Sequence, residues 1–251
     1  MKSLAAFVLH RWDWSESSLI LDLLTREQGR VAVAAKGAKR PHSNLRAVLL
    51  PFQPIAVTLG RTPEGEGEAE IRNLRGAEWA GGGAMLKGSG LFSGFYLNEL
   101  LMRLVPRQDP HPELFDAYAF TLGTLAAASD DAVAEGALRA FELTLLRSLG
   151  LLPDLSVATL TQQPLQPGAR YAVHAEVGVA EPRAGDSGVD AATLVQMQAA
   201  LQHGSVAALQ QACAAALPEL KNMLRTQLHY HLGSPVLRTR RVMVDAQNLE
   251  R

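Results

Sequence analysis

The residues best suited to chemistry in this sequence are cations gathered in one short segment. The stretch KGAKRPHSNLR, at residues 36–46, has no acidic side chain and carries four cations: Lys36, Lys39, Arg40 and Arg46. Around it, residues 26–61 hold seven Lys or Arg against one acid, although the formal net charge of the chain is −1. Such a segment is often a solvated loop, but it is also how proteins contact phosphate backbones.

Few residues could catalyse a reaction or hold a metal ion. The sequence has no Gly-rich loop of the P-loop type and no G-x-S-x-G nucleophile motif. His229 and His231 are the best metal candidates, but positions i and i+2 of a helix face different sides and share an ion poorly. Cys213, in an Ala-rich segment, is expected to fill the core. We therefore expect a non-enzymatic protein with no catalytic residue, metal, cofactor or small-molecule substrate.

Length and composition fit a globular protein of one large domain or two modest ones. The chain has 251 residues, of which 47% are hydrophobic and 20% charged. A single cysteine excludes an internal disulfide and fits a reducing compartment. There is no apolar run of about 18 residues and no cleavage pattern after the first apolar stretch, so we expect no membrane span and no signal peptide. The expected location is the cytoplasm.

The elements that must position the cations are predicted to be strands. LAAFVLH, LILDLLT and RVAVAAK are short apolar or alternating runs, and a four-residue turn ending in Gly29 joins the last two, as in a β-hairpin. SNLRAVLL predicts one or two helical turns, and PFQPIAVTLG and AEIRNLRGAEW predict two more strands. Five strands with a helix between the third and fourth is the layout of the partly open OB-fold barrel. We predict an OB-fold nucleic-acid-binding domain at residues 1–80.

From Gly81 the hydrophobic period changes to that of helices. GGGAMLKGSG has the composition of a linker, and helical stripes follow at residues 91–104, 112–127, 131–149 and 191–232. Residues 153–188 are rich in Pro and Gly, with one expected hairpin around RYAVHAEVGVA. The predicted fold class is α+β, in which the barrel precedes a helical domain, residues 81–251, with an irregular, hairpin-containing insert at about 153–188.

The predicted OB-fold barrel would carry a DNA-binding face. OB-folds hold single strands in a cationic groove and stack bases on aromatic rings. The side chains expected to contact DNA are Arg11, Arg30, Lys36, Lys39, Arg40 and Arg46. Trp12 and Trp14 fall in the expected turn after the first strand, where either ring could stack on a base or pack onto the barrel end. Because the aromatic content is 6%, affinity should be mainly electrostatic.

The third expected helix, EGALRAFELTLLRSLG, offers a second possible site. At 3.6 residues per turn, Arg139, Leu143 and either Leu146 or Arg147 lie along one side of this helix. A cation beside an apolar groove would suit an acidic peptide that ends in a hydrophobic residue. The alternative is that the apolar side is sealed in the core and that Arg139 is solvated.

Motifs in the first 150 residues resemble the RecO family of bacterial DNA repair proteins. The stretch from Ala5 through Arg46, followed by LLPFQP, resembles the N-terminal domain of that family. LFSGFYLNELLMRL and ALRAFELTLLRSLG resemble its first and third C-terminal helices. The motifs AKGA after GRV, then L.PF.P, then Y.NELL occur in the order and spacing of the family. The match is faint after Gly150.

The resemblance implies a recombination mediator that binds single- and double-stranded DNA and anneals complementary strands. It implies two protein partners: RecR, with which RecA is loaded onto coated strands, and the acidic C-terminal tail of single-strand-binding protein. By position, residues 36–46 match the nucleic-acid face of the family. Arg139 matches an arginine for tail binding, and Leu143 and Arg147 lie beside it. The implied location is cytoplasmic, at the nucleoid, and no membrane is involved.

One departure from the family concerns zinc. Many relatives carry four cysteines as a zinc knuckle after the third helix, where this chain has LGLLPDLSVATLTQQP. Zinc is therefore not expected, and the insert must hold together by hairpin pairing and packing.

Two alternatives to a mediator stay open. One is a plain OB-fold strand binder whose helical half caps or dimerises it. The other is a protein-docking adaptor whose basic loop meets an acidic partner. The absence of acids in residues 30–61 favours DNA, because protein interfaces usually mix charges.

Overall fold

The structure, a computed structural model, describes most of the chain: residues 3–60, 71–83, 85–233, 237–239 and 241–242. The sequence RTPEGEGE, residues 61–68, predicts a turn between the fourth and fifth strands, and it lies outside the described residues. By its contacts the chain forms two compact units, residues 1–126 and 127–251.

Five strands form a closed barrel in the first unit: β1 (Leu4–Asp13), β2 (Leu19–Thr25), β3 (Gly29–Ala35), β4 (Ile55–Leu59) and β5 (Ile71–Trp79). Their order is β1-β2-β3-β5-β4, and a short parallel pairing of β3 with β5 closes the barrel. All other neighbouring strands are antiparallel. The predicted five-stranded layout is confirmed, and the barrel is closed where the OB-fold was expected to be partly open.

Strand alternation fills the barrel. Val31, Val33 and Ala35 of β3 and Leu21 and Leu23 of β2 belong to one buried cluster. Successive strand residues point to opposite faces, so alternate positions of each strand supply this cluster. Burying such side chains contributes about 1.5–3 kcal/mol each for Val and Leu, and this burial is what holds the barrel together.

The β2–β3 hairpin forms as predicted and requires its glycine. Gly29 has φ +66°, and a Cβ at this position would lie 2.0 Å from the carbonyl oxygen of Asp109. The Thr25 hydroxyl closes the turn, because it donates to the Gly29 carbonyl at 2.7 Å and accepts from the Gln28 N–H at 3.1 Å. A larger residue at position 29 would both strain the backbone and collide with the chain that passes beside it.

The first unit also contains a short helix between β3 and β4, α1 (Leu45–Val48), and two longer helices that pack with the barrel, α2 (Gly88–Leu104) and α3 (Pro112–Ala127). The two longer helices both contact β1. The amide of Asn98 donates to the Leu9 carbonyl of β1 at 2.8 Å and accepts from the Tyr118 hydroxyl at 2.5 Å. The Phe7 ring contacts the rings of Phe115 and Tyr118. Both helices lie where the sequence predicted them. The domain boundary predicted after residue 80 lies between the end of β5 and the start of α2. As a boundary between domains it stays a prediction.

The second unit is mainly helical, with α4 (Asp131–Ser148), α5 (Ala191–Gln202), α6 (Val206–Cys213) and α7 (Leu217–Leu232). Side-chain oxygens of Asp130, Asp190 and Ser205 accept from N–H groups in the first turns of α4, α5 and α6, which otherwise lack a partner within the helix. The predicted helical regions are confirmed. No helix in the described part of the chain is long and apolar enough to cross a membrane.

The insert of the second unit has five short strands: β6 (Val157–Ala158), β7 (Gln163–Pro164), β8 (Arg170–His174), β9 (Gly178–Ala180) and β10 (Val189–Asp190). β8 and β9 form the predicted hairpin. The buried Gln227 amide of α7 donates to the Val173 carbonyl at 2.7 Å, and the Thr159 hydroxyl accepts from the Val179 N–H at 2.8 Å. These side-chain bonds add to the strand pairing in holding the insert.

Candidate nucleic-acid interface

A cleft of about 560 Å³ opens on the barrel, between the end of β1, the start of β2 and the connection from β3 through α1. Eight residues line it: Arg11, Trp12, Asp13, Leu19, Ala38, Lys39, Arg46 and Leu49. The three small or aliphatic residues among them are almost fully buried and form an apolar floor. The three cations and the Trp12 indole of the lining are more exposed than these residues. Three of the six predicted DNA contacts therefore share one cleft.

Strand register explains why these residues meet. Asp13 pairs with Leu19 across β1 and β2, and Leu19 pairs with Ala35 across β2 and β3. The ends of the three strands consequently lie side by side, and the residues that follow Ala35 pass the end of β1. Gly37 has φ +73°, which turns the chain there into the basic segment.

Lys39 is the most constrained cation of the cleft. Its Nζ lies 3.1 Å from Oδ1 of Asp13 and donates to the carbonyl of Ser15 at 3.0 Å. Its backbone N–H donates to the carbonyl of Ser17, also at 3.0 Å. Lys39 therefore ties the basic segment to the loop between β1 and β2.

Lys36 and Arg40 belong to the same segment but do not line the cleft. Both are exposed. The Arg40 side chain lies over Gly37, because its Cδ and Nε would both be 3.6 Å from a Cβ at that glycine. The structure thus divides the predicted basic loop into cations within the cleft and cations beside it.

Arg30 is placed differently from the prediction. Its side chain is 12% exposed, and Nε lies 3.1 Å from Oδ1 of Asp22. Its Nη1 donates to three carbonyls near the end of α2, those of Leu101, Met102 and Val105. The guanidinium is occupied inside the first unit, where a phosphate would have to displace these partners. Arg30 therefore has a structural role and does not line the cleft.

Asp22 is the buried carboxylate around which this charge cluster forms. It is 2% exposed, and burial raises its pKa above the ordinary value of 3.8. The positive charges of Arg30, Arg107 and His10 oppose this rise. Nη2 of Arg107 lies 3.8 Å from Oδ2 of Asp22. His10 is also partly buried, and burial lowers its pKa, whereas the negative charge of Asp22 acts to raise it. A carboxylate and its cations are thus held together between barrel strands and the residues after α2.

The two tryptophans near the cleft are both exposed. β1 continues through Asp13, so Trp12 belongs to the strand and only Trp14 lies in the following turn, which corrects the predicted end of β1. The exposed fractions are 42% for Trp12 and 55% for Trp14. The Trp12 ring meets the His10 ring edge-on, with centroids 4.4 Å apart. Trp12 therefore exposes part of its indole ring at the cleft, and its contact with the His10 ring restricts the motion of that ring.

The predicted peptide contacts on α4 are mostly inaccessible. The Arg139 side chain is 10% exposed, and its Nη1 lies 3.0 Å from Oε2 of Glu142, whose side chain is fully buried. Leu143 is also fully buried, and Arg147 is exposed. The apolar side of the helix is thus sealed, as in the alternative reading, but Arg139 is held inside with it and is not solvated.

Metal-ligand residues are dispersed in the described part of the chain. No three His, Cys, Asp or Glu side chains come together there in a way that could hold an ion. His231 lies in α7, and burial lowers its pKa. Burial, with a further contribution from Glu142, raises the pKa of the Cys213 thiol to about 12, so this thiol stays protonated. Cys213 is a buried core residue, as predicted.

The cleft combines the two features that single-stranded nucleic acids require. Arg11, Lys39 and Arg46 can neutralise phosphates, and the Trp12 ring offers a stacking surface for an unpaired base. Sequence reasoning missed Asp13, the acid that accompanies these cations. Its pairing with Lys39 could have been inferred from the register of the β1–β2–β3 meander, because that register brings residue 13 beside the residues that follow Ala35.

Comparison with known proteins decides the family. A family model described as Recombination protein O N terminal matches residues 1–80, and one described as Recombination protein O C terminal matches residues 87–241. The chain belongs to the RecO family. A DNA repair protein RecO from Polaromonas naphthalenivorans is 52% identical over 246 residues, which cover 97% of this chain and 96% of that protein. The RecO proteins of Delftia acidovorans and Paracidovorax citrulli are 51% and 50% identical, with the same coverage. The predicted RecO resemblance is confirmed, and it extends well beyond Gly150.

Proposed function

We propose that this protein binds DNA through the barrel cleft and acts in DNA repair and homologous recombination as a mediator. The observation that carries the proposal is the grouping of Arg11, Lys39 and Arg46 around an apolar floor, beside the exposed ring of Trp12. The relatives support it, because they bear the name DNA repair protein RecO.

The chemistry of the cleft suits both single and double strands. Both kinds of strand carry phosphates, and each cation that neutralises a phosphate releases a condensed counterion. This electrostatic part of the affinity therefore does not depend on base sequence. Exposed Lys36 and Arg40 would extend the contact along the backbone. The proposed activity is binding and strand annealing without catalysis, cofactor or small-molecule substrate, at the nucleoid in the cytoplasm.

The mediator role includes protein partners. We propose that the protein, with RecR, helps to load RecA onto strands coated by single-strand-binding protein, and that it contacts the acidic tail of that protein. Of the three predicted tail contacts, Arg147 is the exposed one, so the proposed contact relies on this arginine. Arg139 and Leu143 would support the helix from within.

The binding proposal is tested by removing two cations of the cleft. Replacing Lys39 and Arg46 together with alanine should weaken binding to an unstructured oligonucleotide about tenfold at 0.1 M salt, because two phosphates lose their partners. Fluorescence anisotropy measures the affinity. Arg183→Ala removes an exposed arginine from the insert of the second unit and serves as the control. Equal affinity of the double variant and this control would contradict the proposal and favour the docking adaptor.

The Trp12 ring should distinguish single strands from duplex. Stacking of one base contributes about 1–3 kcal/mol, so Trp12→Ala should weaken binding to a single strand by roughly fivefold to a hundredfold. Binding to a blunt duplex should change little, because its bases are already stacked. Trp12→Phe should restore much of the loss. Equal effects on the two substrates would show that the ring does not stack on a base.

A further inference from the structure

We propose that Asp13 sets the strength with which the cleft holds DNA, because its carboxylate occupies Lys39 in the place of a phosphate. This inference depends on the proposed function, since it concerns the same cleft. Asp13 is the acid among the eight residues that line the cleft. Strand binding would require Lys39 to exchange this carboxylate for a phosphate oxygen.

The geometry of the pair favours such an exchange. Asp13 Oδ1 lies 3.1 Å from Lys39 Nζ, but the Asp13 side chain is 79% exposed and the Lys39 side chain 31%. Lys39 has a second anchor at the Ser15 carbonyl, and its own backbone is bonded to Ser17. The carboxylate can therefore turn into solvent while the ammonium stays at the cleft, already positioned for an anion.

Charge determines the direction of the effect. A phosphate that approaches Lys39 also approaches Asp13, and two like charges about 4 Å apart repel by about 1 kcal/mol in water, which is about fivefold in affinity. The carboxylate thus weakens the contact and gives Lys39 a partner when a strand leaves. Exposed rim charges of this kind act mainly on association rate and salt dependence. Asp13 should therefore slow the association of a strand with the cleft, and most strongly at low salt.

The experiment compares the oligonucleotide binding of six proteins. They are wild type, Asp13→Asn, Lys39→Ala, the double variant Asp13→Asn/Lys39→Ala, and the single variants Arg46→Ala and Glu16→Gln. Asp13→Asn keeps the size of the side chain and removes its charge, so it should bind about fivefold more tightly at 0.1 M salt. In the Lys39→Ala background the same substitution should have little effect, because the competition it relieves no longer exists. Glu16→Gln removes an exposed acid from the neighbouring loop and should change affinity less than twofold.

The outcomes separate this inference from the proposed function. If Asp13→Asn binds like wild type or more weakly while Lys39→Ala weakens binding, the competition is refuted and the cleft remains the DNA site. If Asp13→Asn and Glu16→Gln tighten binding equally, the effect is general charge and the inference also fails. If Lys39→Ala and Arg46→Ala leave the affinity unchanged, the proposed function itself fails. Thermal melting of each variant shows that folding is retained.

Discussion

Arg30→Ala should lower the free energy of unfolding of the first unit by about 3–5 kcal/mol, the usual cost of removing one partner from a buried ion pair. The substitution takes the 3.1 Å partner from Asp22, which is 2% exposed, and leaves Arg107 at 3.8 Å as the nearer remaining cation. It also removes the donor from three carbonyls near the end of α2. Urea unfolding followed by circular dichroism measures the loss.

The loss should depend on pH in a defined direction. Burial already raises the pKa of Asp22 above 3.8, and Arg30 opposes that rise, so its removal raises the pKa further. A carboxyl with a raised pKa binds more protons in the folded than in the unfolded state, and stability therefore falls as pH rises from about 3.8 through the folded pKa. The difference between wild type and Arg30→Ala should thus be largest near pH 7 and shrink toward pH 4.

A second substitution provides the control. Asp22→Asn in the Arg30→Ala background removes the buried charge and should recover a substantial part of the lost stability. The double variant should also lose the added pH dependence. A loss below about 1 kcal/mol for Arg30→Ala, or no recovery in the double variant, would show that the pair is not a buried interaction of this kind. DNA binding by the folded fraction should be unchanged, since Arg30 lies outside the cleft.

Arg139→Ala should be comparably destabilising to the second unit, again by about 3–5 kcal/mol. Glu142 is fully buried and would lose its 3.0 Å ion-pair partner. Replacing both residues with apolar side chains, as in Arg139→Met/Glu142→Leu, should be much less costly, because it removes both charges together. Denaturant unfolding of the two variants measures the difference. Equal stability of Arg139→Ala and wild type would contradict the buried pair.

This expectation changes how a loss of peptide binding should be interpreted. If Arg139→Ala unfolds the second unit, weaker binding of an acidic tail peptide would not locate the docking site. Arg147→Ala is the matched variant on the same helix, because its side chain is exposed and its removal should leave stability within about 0.5 kcal/mol of wild type. The proposed tail contact requires weaker peptide binding by this variant, with DNA binding intact.

Hydrophobic periodicity was sufficient to predict the five barrel strands, apart from the end of β1, and the helices α2, α3 and α4. The alternation of Val31, Val33 and Ala35 identified β3, and the turn ending in Gly29 identified its hairpin partner. The helical stripes located α2, α3 and α4 to within a few residues. These signals are local, because each depends on neighbours in the chain.

The role of individual charged residues could not be predicted in the same way. Arg30 occupies an outward position of β3, where a strand pattern indicates solvent, but the carbonyls that cover it come from α2, more than 70 residues later. Arg139 had a local signal, since Glu142 lies three residues on, but the burial of both depends on tertiary packing. The cleft was predicted in part: Arg11, Lys39 and Arg46 were named, and the carboxylate among them was not.

The salt dependence of DNA binding tests the central claim most directly. The affinity for an unstructured oligonucleotide should be measured from 50 to 300 mM salt for wild type, Lys39→Ala/Arg46→Ala and Arg183→Ala. If the cleft holds phosphates, the slope of log Kobs against log salt should be about one to two units shallower for the double variant, at about 0.7 per phosphate lost from a single strand. Arg183→Ala should keep the wild-type slope. An unchanged slope in a folded double variant would contradict DNA binding by this cleft.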